Sequence, residues 1–283
     1  MRRSSSRLAA LAALALLAGC GRPAAERVEW PVMGTVAAVQ ARGGGGLPAS
    51  SYRQSAADAF AEVERILNAH SPDSELSRLA PLGDDALLAQ CDARMRPCYA
   101  AAFALQAASG GAFSPRWRGA GTLDLGAIAK GFAVDLAAAS AQAPGGDALL
   151  DLGGNVKSVR GSWKTGVKDP NGDGLAATVE LREGEALATS ATYYRGSHIY
   201  DGRTGLAVSN GVASVTVLCD SAMWADGLST TLFVLGPEEG RAFLEGHLAA
   251  LVGGRKVAVL WILSDGRQVK VDGDGRFAAQ AAP

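Results

Sequence analysis

The chain has 283 residues, 48% of them hydrophobic and 19% charged. That is enough for one large domain or two small ones, at roughly 100–200 residues each, and enough to bury a core without metal or disulfide staples. With 27 basic and 28 acidic residues and a net charge of −1, the composition excludes wholesale disorder and offers no excess of positive charge to replace counterions on a nucleic acid.

Taken in chain order, the first segment is an address. Arg2, Arg3 and Arg7 precede an apolar run from Leu8 to Ala18. The run is too short to span a bilayer as a helix but suits the core of a signal peptide. It ends Leu17-Ala18-Gly19-Cys20, small residues before a Cys that resemble a bacterial lipobox. The expectation is a cleaved signal peptide over 1–19, lipidation of Cys20, a short tether over 20–27 and a folded domain over 28–283. Gly21 follows Cys20 where an Asp would direct retention at the inner membrane. A lipid anchor on the periplasmic face, in the outer membrane, is therefore expected.

Val28 to Gln40 has β character and runs into the turn Gly43–Gly46. Gln54 to Ala69 places Ala57, Phe60, Val63, Ile66 and Leu67 at helical spacing, which predicts an amphipathic helix. Pro72 and Asp73 end it, and Ser74 to Leu79 adds a further turn. Tyr99–Ala108 and Gly126–Ala143 are predicted helices. Ala148–Asp151 and Lys157–Val159 read as strands around the turn Gly153-Gly154-Asn155. Short strands follow near Thr178–Leu181, Ala186–Thr189, His198–Tyr200 and Val212–Leu218. Helices are predicted over Ala222–Leu235 and Pro237–Leu248, and a buried strand over Val257–Leu263. Paired strands with interspersed helices predict an α+β fold, a single mixed domain with an antiparallel-rich sheet and packed helices. Beyond Cys20 there are three cysteines, too few for a complete disulfide framework. A bridge between Cys91 and Cys98 suits an oxidising compartment, and Cys219 reads as a buried small residue. With only His70, His198 and His247 in the chain, neither a zinc site nor a multi-histidine metal site is expected.

Four Gly/Asp-rich segments stand apart from the core pattern: 121–131 followed by Asp135, 151–155, 189–205 and 225–231. The first opens a helix, where free backbone N–H groups suit an anion. In the fourth, Asp226 and Thr230 are four apart on one helix face and can offer oxygen ligands to a hard cation such as Mg²⁺.

In order along the chain, these segments resemble the FAD:protein FMN transferase (ApbE) family. Pro31-Val32-Met33-Gly34-Thr35 is similar to its Met-Gly-Thr signature and Pro72-Asp73-Ser74-Glu75-Leu76 to its Pro-Asp-Ser-Glu-Leu motif. Asp124-Leu125-Gly126 with Lys130-Gly131, the Leu-Gly-Gly turn, Thr189-Ser190, His198 with Asp201-Gly202-Arg203-Thr204-Gly205, and Asp226 with Thr230 complete the set. The resemblance implies an Mg²⁺-dependent transfer of the FMN moiety of FAD to a Thr or Ser hydroxyl of an acceptor protein, through a phosphoester bond, with release of AMP. It implies metal ligands at the Ala127 backbone carbonyl, Asp226 and Thr230. It implies flavin contacts at Met33, His70, Ala112, Phe113, Asp124 and Lys130, and an active-site histidine at His198.

Elementary chemistry leaves alternatives beside these roles. Lys130 suits a phosphate or a surface charge with an apolar stem, and Asp124 suits FAD or a helix cap. His198 suits the hydroxyl proton or the diphosphate. Met33 suits a flavin contact or core packing, and Thr189 and Ser190 suit flavin contacts or a turn cap. The chain departs from the family in reaching Asp124 within 11 residues of Phe113, which removes part of the expected flavin wall; Arg116 or Trp117 are the candidates to replace it. Ser229 sits where some relatives carry a second acidic group. Hydrolysis of FAD to FMN and AMP, or FAD binding without catalysis by a lipoprotein, are the other readings.

Overall fold

The structure, a computed structural model, describes residues 25–43, 49–141, 146–192, 199–272 and 274–279. The expected signal peptide, Cys20 and His198 lie outside the described residues. The strands are β1 (Glu26–Val32), β2 (Thr35–Arg42), β3 (Asp147–Leu152), β4 (Asn155–Arg160), β5 (Trp163–Lys168), β6 (Leu175–Leu181), β7 (Ala186–Ala191), β8 (Tyr200–Asp201), β9 (Leu206–Ala207), β10 (Val212–Cys219), β11 (Ala258–Leu263), β12 (Gln268–Val271) and β13 (Ala278–Ala279). The helices are α1 (Ala49–Leu67), α2 (Glu75–Leu79), α3 (Asp84–Gln90), α4 (Arg96–Ala108), α5 (Ala129–Ser140) and α6 (Ala222–Val252).

Eight strands pair in the order β1-β2-β3-β4-β7-β10-β11-β12, each with its neighbour antiparallel. Side chains alternate across a pleated strand, and here both faces are covered. On β11, Val259 and Trp261 point into the helical side, while Leu260 and Ile262 enter a second core. That second core lies beneath the three-stranded sheet β13-β6-β5, with Trp163, Val179, Leu181 and Phe277. Every residue of β10 is buried, as a central strand packed on both faces requires. On the helical side α1 packs on α5, α5 on α6, and α6 on β7 and β10. The expected mixed α+β domain is the one observed.

Several boundaries differ from expectation. β1 begins at Glu26 rather than Val28, inside the segment read as tether. α1 begins at Ala49: Ala49, Tyr52 and Ala56 continue its buried face, but two of the three are alanines and one Tyr between polar residues does not mark an apolar stripe. α5 starts at Ala129 rather than Gly126: the Asp124 carboxylate accepts the Gly126 N–H (2.8 Å) and holds residues 124–126 in a turn. The two predicted C-terminal helices are one run, α6, broken at Gly236 (φ 73°, ψ 178°), where Pro237 opens the second half without an N–H to satisfy. α3 and β5 were not foreseen. Among the described residues no helix is long and apolar enough to cross a membrane.

Cys91 and Cys98 do not form the bridge considered above; both are free and buried, as is Cys219. Cys91 Sγ faces the Leu88 carbonyl at 3.6 Å, while Cys98 is sealed in the buried face of α4. Burial pushes the Cys219 thiol up to about 11, so it stays protonated and inert at neutral pH.

Candidate functional site

The site begins with the close crossing of α5 and α6. A Cβ on Gly131 would lie 2.1 Å from the Ala222 carbonyl oxygen and 2.7 Å from Asp226 Cβ, so only glycine lets the helices approach this far. The approach brings the Gly131 N–H to Asp226 Oδ2 at 2.9 Å. The Asp226 side chain is only 7% exposed. A carboxylate so far from water needs a compensating charge, and Lys130 supplies it, its Nζ 3.5 Å from Asp226 Oδ2 and 3.0 Å from the Gly126 carbonyl.

One turn further along α5, Asp135 fixes the start of α6. It accepts hydrogen bonds from Ser221 Oγ (2.7 Å), Ala222 N (3.0 Å) and Met223 N (3.0 Å), and pairs with Lys157 of β4 at 3.1 Å. An anion at a helix N-terminus satisfies N–H groups that have no partner within the helix and suits the helix dipole. Asp135→Ala is expected to cost about 2–4 kcal/mol, from lost capping and charge-assisted bonds. Chemical denaturation of the two proteins measures it, and an unchanged midpoint would refute the role.

A row of hydroxyls continues from Asp226. Ser190 Oγ of β7 lies 2.8 Å from Ser229 Oγ and 3.0 Å from Thr230 Oγ1, and Ser229 Oγ donates to the Asp226 carbonyl at 2.9 Å. Thr189 Oγ1 meets Thr216 Oγ1 at 2.9 Å. From the other side comes the turn between β3 and β4. Asp151 there accepts the Gly154 N–H (2.9 Å), and burial raises its carboxyl above the usual range. Asn155 is 3% exposed, donates through Nδ2 to the Leu152 carbonyl (3.4 Å), and keeps Oδ1 buried without a partner. An aromatic wall completes the enclosure: Trp117 stacks on Tyr200 with centroids 4.1 Å apart and planes 9° apart.

Asp226, Lys130, Thr230, Thr189, Ser190, Asn155, Trp117 and Tyr200 line one cleft of about 470 Å³. Of the residues expected from the sequence, His70, Ala112, Phe113, Asp124, Ala127, Lys130, Asp226 and Thr230 all line it. Met33 does not; it sits in the β1–β2 turn at φ 51° and packs on the main core. His198 lies outside the described residues, and Ile199 and Tyr200, which follow it, line the cleft. Asp124 holds its turn, pairs with Arg118 (3.5 Å) and still borders the cleft, so both readings of it stand. Arg116 is not part of the wall. It turns away to the Ala80 and Leu82 carbonyls (2.8 Å each) and Asp84 (2.9 Å), tying the 80–84 segment down. Trp117 takes the wall position through its stack on Tyr200. Asn155 was missed as a site residue; its place directly after Gly153-Gly154 was the available signal. A second cleft, of about 400 Å³, is lined by Arg276 and Glu185, already paired at 2.7 Å, and by none of the expected site residues.

Comparison with known proteins gives a consistent set of likenesses. The ApbE family model matches residues 116–252. A FAD:protein FMN transferase of Rhodobacter capsulatus is 43% identical over 157 residues, 51% of this chain and 28% of that protein. A Vibrio cholerae FAD:protein FMN transferase is 36% identical over 141 residues, 44% of this chain and 42% of its own length. The matched stretch thus spans less than half of either relative. In three dimensions the chain resembles the flavin transferase ApbE from Vibrio cholerae, with a TM-score of 0.70 at 23% identity over 88% of this chain and 97% of that one. The apo Pseudomonas stutzeri flavinyl transferase ApbE gives 0.69 at 23% identity over 92% and 100%. At that identity the structural likeness speaks for the fold.

Proposed function

We propose that this chain, whose residues 116–252 match the ApbE family model, transfers the FMN moiety of FAD to a Thr or Ser hydroxyl of an acceptor protein and releases AMP. The observation that carries this reading is the convergence, in one cleft, of a buried carboxylate, an ammonium, a row of hydroxyls and a stacked aromatic wall. A dinucleotide needs both halves of that set: flat faces for its rings, and polar groups for its phosphates.

The donor set fits Mg²⁺. Asp226 and Thr230 offer hard oxygen atoms from one helix, Ala127 borders the same cleft from the turn before α5, and the buried Asp226 carboxylate already draws in a cation, Lys130. Bound there, Mg²⁺ would supply Lewis-acid polarisation of the phosphoryl oxygens. The chain's own residues do the rest. Lys130 places a point charge beside the phosphates. Asn155 Oδ1 accepts a hydrogen bond from an N–H or O–H of the bound dinucleotide, which removes its desolvation penalty. The Trp117–Tyr200 stack presents a flat surface to the isoalloxazine. The acceptor hydroxyl attacks the flavin-side phosphorus, the bond to the AMP phosphate breaks, and the hydroxyl proton passes to a general base, a role that the imidazole of His198 suits by its chemistry. We further place the domain outside the cytoplasm on a lipid anchor at Cys20, a reading supported by the charge and apolar pattern of residues 1–20.

The test is transfer itself. Purified protein with FAD, Mg²⁺ and a candidate acceptor domain is expected to add the mass of the FMN moiety to the acceptor while AMP appears. AMP without acceptor mass would point to hydrolysis, with water in place of the acceptor hydroxyl. Neither product under any metal condition would overturn the catalytic reading.

A further inference from the structure

The three hydroxyls beside Asp226 have a direction. A serine or threonine hydroxyl has one proton to donate and lone pairs to accept with. Ser229, fully buried, gives its proton to the Asp226 main-chain carbonyl at 2.9 Å, an atom that can only accept. The 2.8 Å bond between Ser190 and Ser229 must then be donated by Ser190. With that proton committed, the 3.0 Å bond between Thr230 and Ser190 must be donated by Thr230. The protons therefore run Thr230 to Ser190 to Ser229 to the Asp226 carbonyl.

We infer that Ser190 and Ser229 are positioning residues that lock Thr230 as a hydrogen-bond acceptor toward the cleft. The relay leaves Thr230 only lone pairs to present there. It can ligate a cation, and it cannot donate to a phosphate oxygen. A hydroxyl that donates is also a stronger acceptor, and bonds in series polarise one another, so the relay sharpens Thr230 as an oxygen ligand. Because Ser190 belongs to β7 and the other two to α6, the same bonds fix the rotation of the helix against the sheet. Partners of this kind orient the groups that touch a metal and tune their affinity. The inference rests on the magnesium reading above.

The experiment titrates Mg²⁺ alone into the purified full chain by calorimetry, for wild type, Ser229→Ala, Ser190→Ala, Ser190→Thr and Asp226→Asn, with the thermal midpoint of each metal-free protein measured alongside. The two alanine variants are expected to bind Mg²⁺ about tenfold more weakly, and Ser190→Thr, which keeps the hydroxyl, to stay within about twofold of wild type. Wild-type affinity in both alanine variants would overturn the relay. A loss in Ser190→Thr equal to that in Ser190→Ala would overturn it too, since bulk rather than the hydroxyl would then be decisive. A wild type that takes up no Mg²⁺ and matches Asp226→Asn would overturn the magnesium reading and the relay together, and is told apart from the first failure by the silence of the wild type itself.

Discussion

Asp226→Asn is expected to lower Mg²⁺-dependent transfer by at least about a hundredfold while leaving the domain folded. The asparagine amide keeps the shape of the carboxylate, and its oxygen can still accept the Gly131 N–H that now reaches Oδ2 at 2.9 Å. What it loses is charge. The amide cannot neutralise a cation, and its oxygen, standing where Oδ2 meets both Gly131 and Lys130, offers the ammonium only a neutral acceptor. Lys130, with a side chain 25% exposed, can swing to water, so the cost in stability should stay near about 1 kcal/mol, that of an ordinary hydrogen bond. Initial rates over a range of Mg²⁺ concentrations, with circular dichroism as the control, decide the matter. A variant at full rate when Mg²⁺ is limiting would remove Asp226 from the metal site.

Gly131→Ala should be the most damaging single-methyl change in the helical layer. The added carbon would overlap the Ala222 carbonyl and Asp226 Cβ, backbone and first side-chain carbon, neither of which can rotate out of the way. Overpacking of this kind costs about 1–3 kcal/mol where neighbours can adjust, and more where they cannot, so a loss of about 3 kcal/mol or more is expected. Activity should fall further than stability, since the only relief is to part α5 from α6 and pull Lys130 away from Asp226. Gly246→Ala is the matching control. It lies on the exposed side of α6 with nothing within 4 Å of the new methyl, and should gain about 0.5–1 kcal/mol from helix propensity alone. Equal midpoints for the two variants in urea would contradict the tight crossing.

Much of this site could be read from the chain because its chemistry depends on residue type at short range. Asp226 and Thr230 share a helix face by spacing alone, and the glycines of 126–131 mark a tight helix opening. Helices with a clear apolar period were legible for the same reason. Long-range facts were not. Nothing local to Asp135 shows that it caps a helix whose first residues lie 86–88 positions later. Nothing in Arg116 distinguishes a pocket wall from a strut to the 80–84 segment. The start of α1 escapes the pattern because alanine carries little hydrophobic signal even when buried, and Tyr52 stands alone among polar neighbours. β5, in which Trp163 and Val167 are buried while the residues between them are at least partly open, was overlooked because its polar residues hid a half-buried strand. Met33 is the converse case: a motif carries it toward the site, and its side chain packs partly buried on the core outside the cleft lining, the second of its two readings.

The cleft draws Asp124, Asn155, Ser190 and Asp226 from four separate stretches of chain, with about a hundred residues between the first and the last. Bringing such distant segments together requires β4, β7, α5 and α6 to be packed in their native places, so no single local stretch of the polypeptide carries the pocket by itself. A ligand held there grips only the finished molecule and thereby shifts the whole folding equilibrium toward it, by about 2.7 kcal/mol at a hundredfold excess over its dissociation constant. Occupancy and global folding in this protein are two readings of one event.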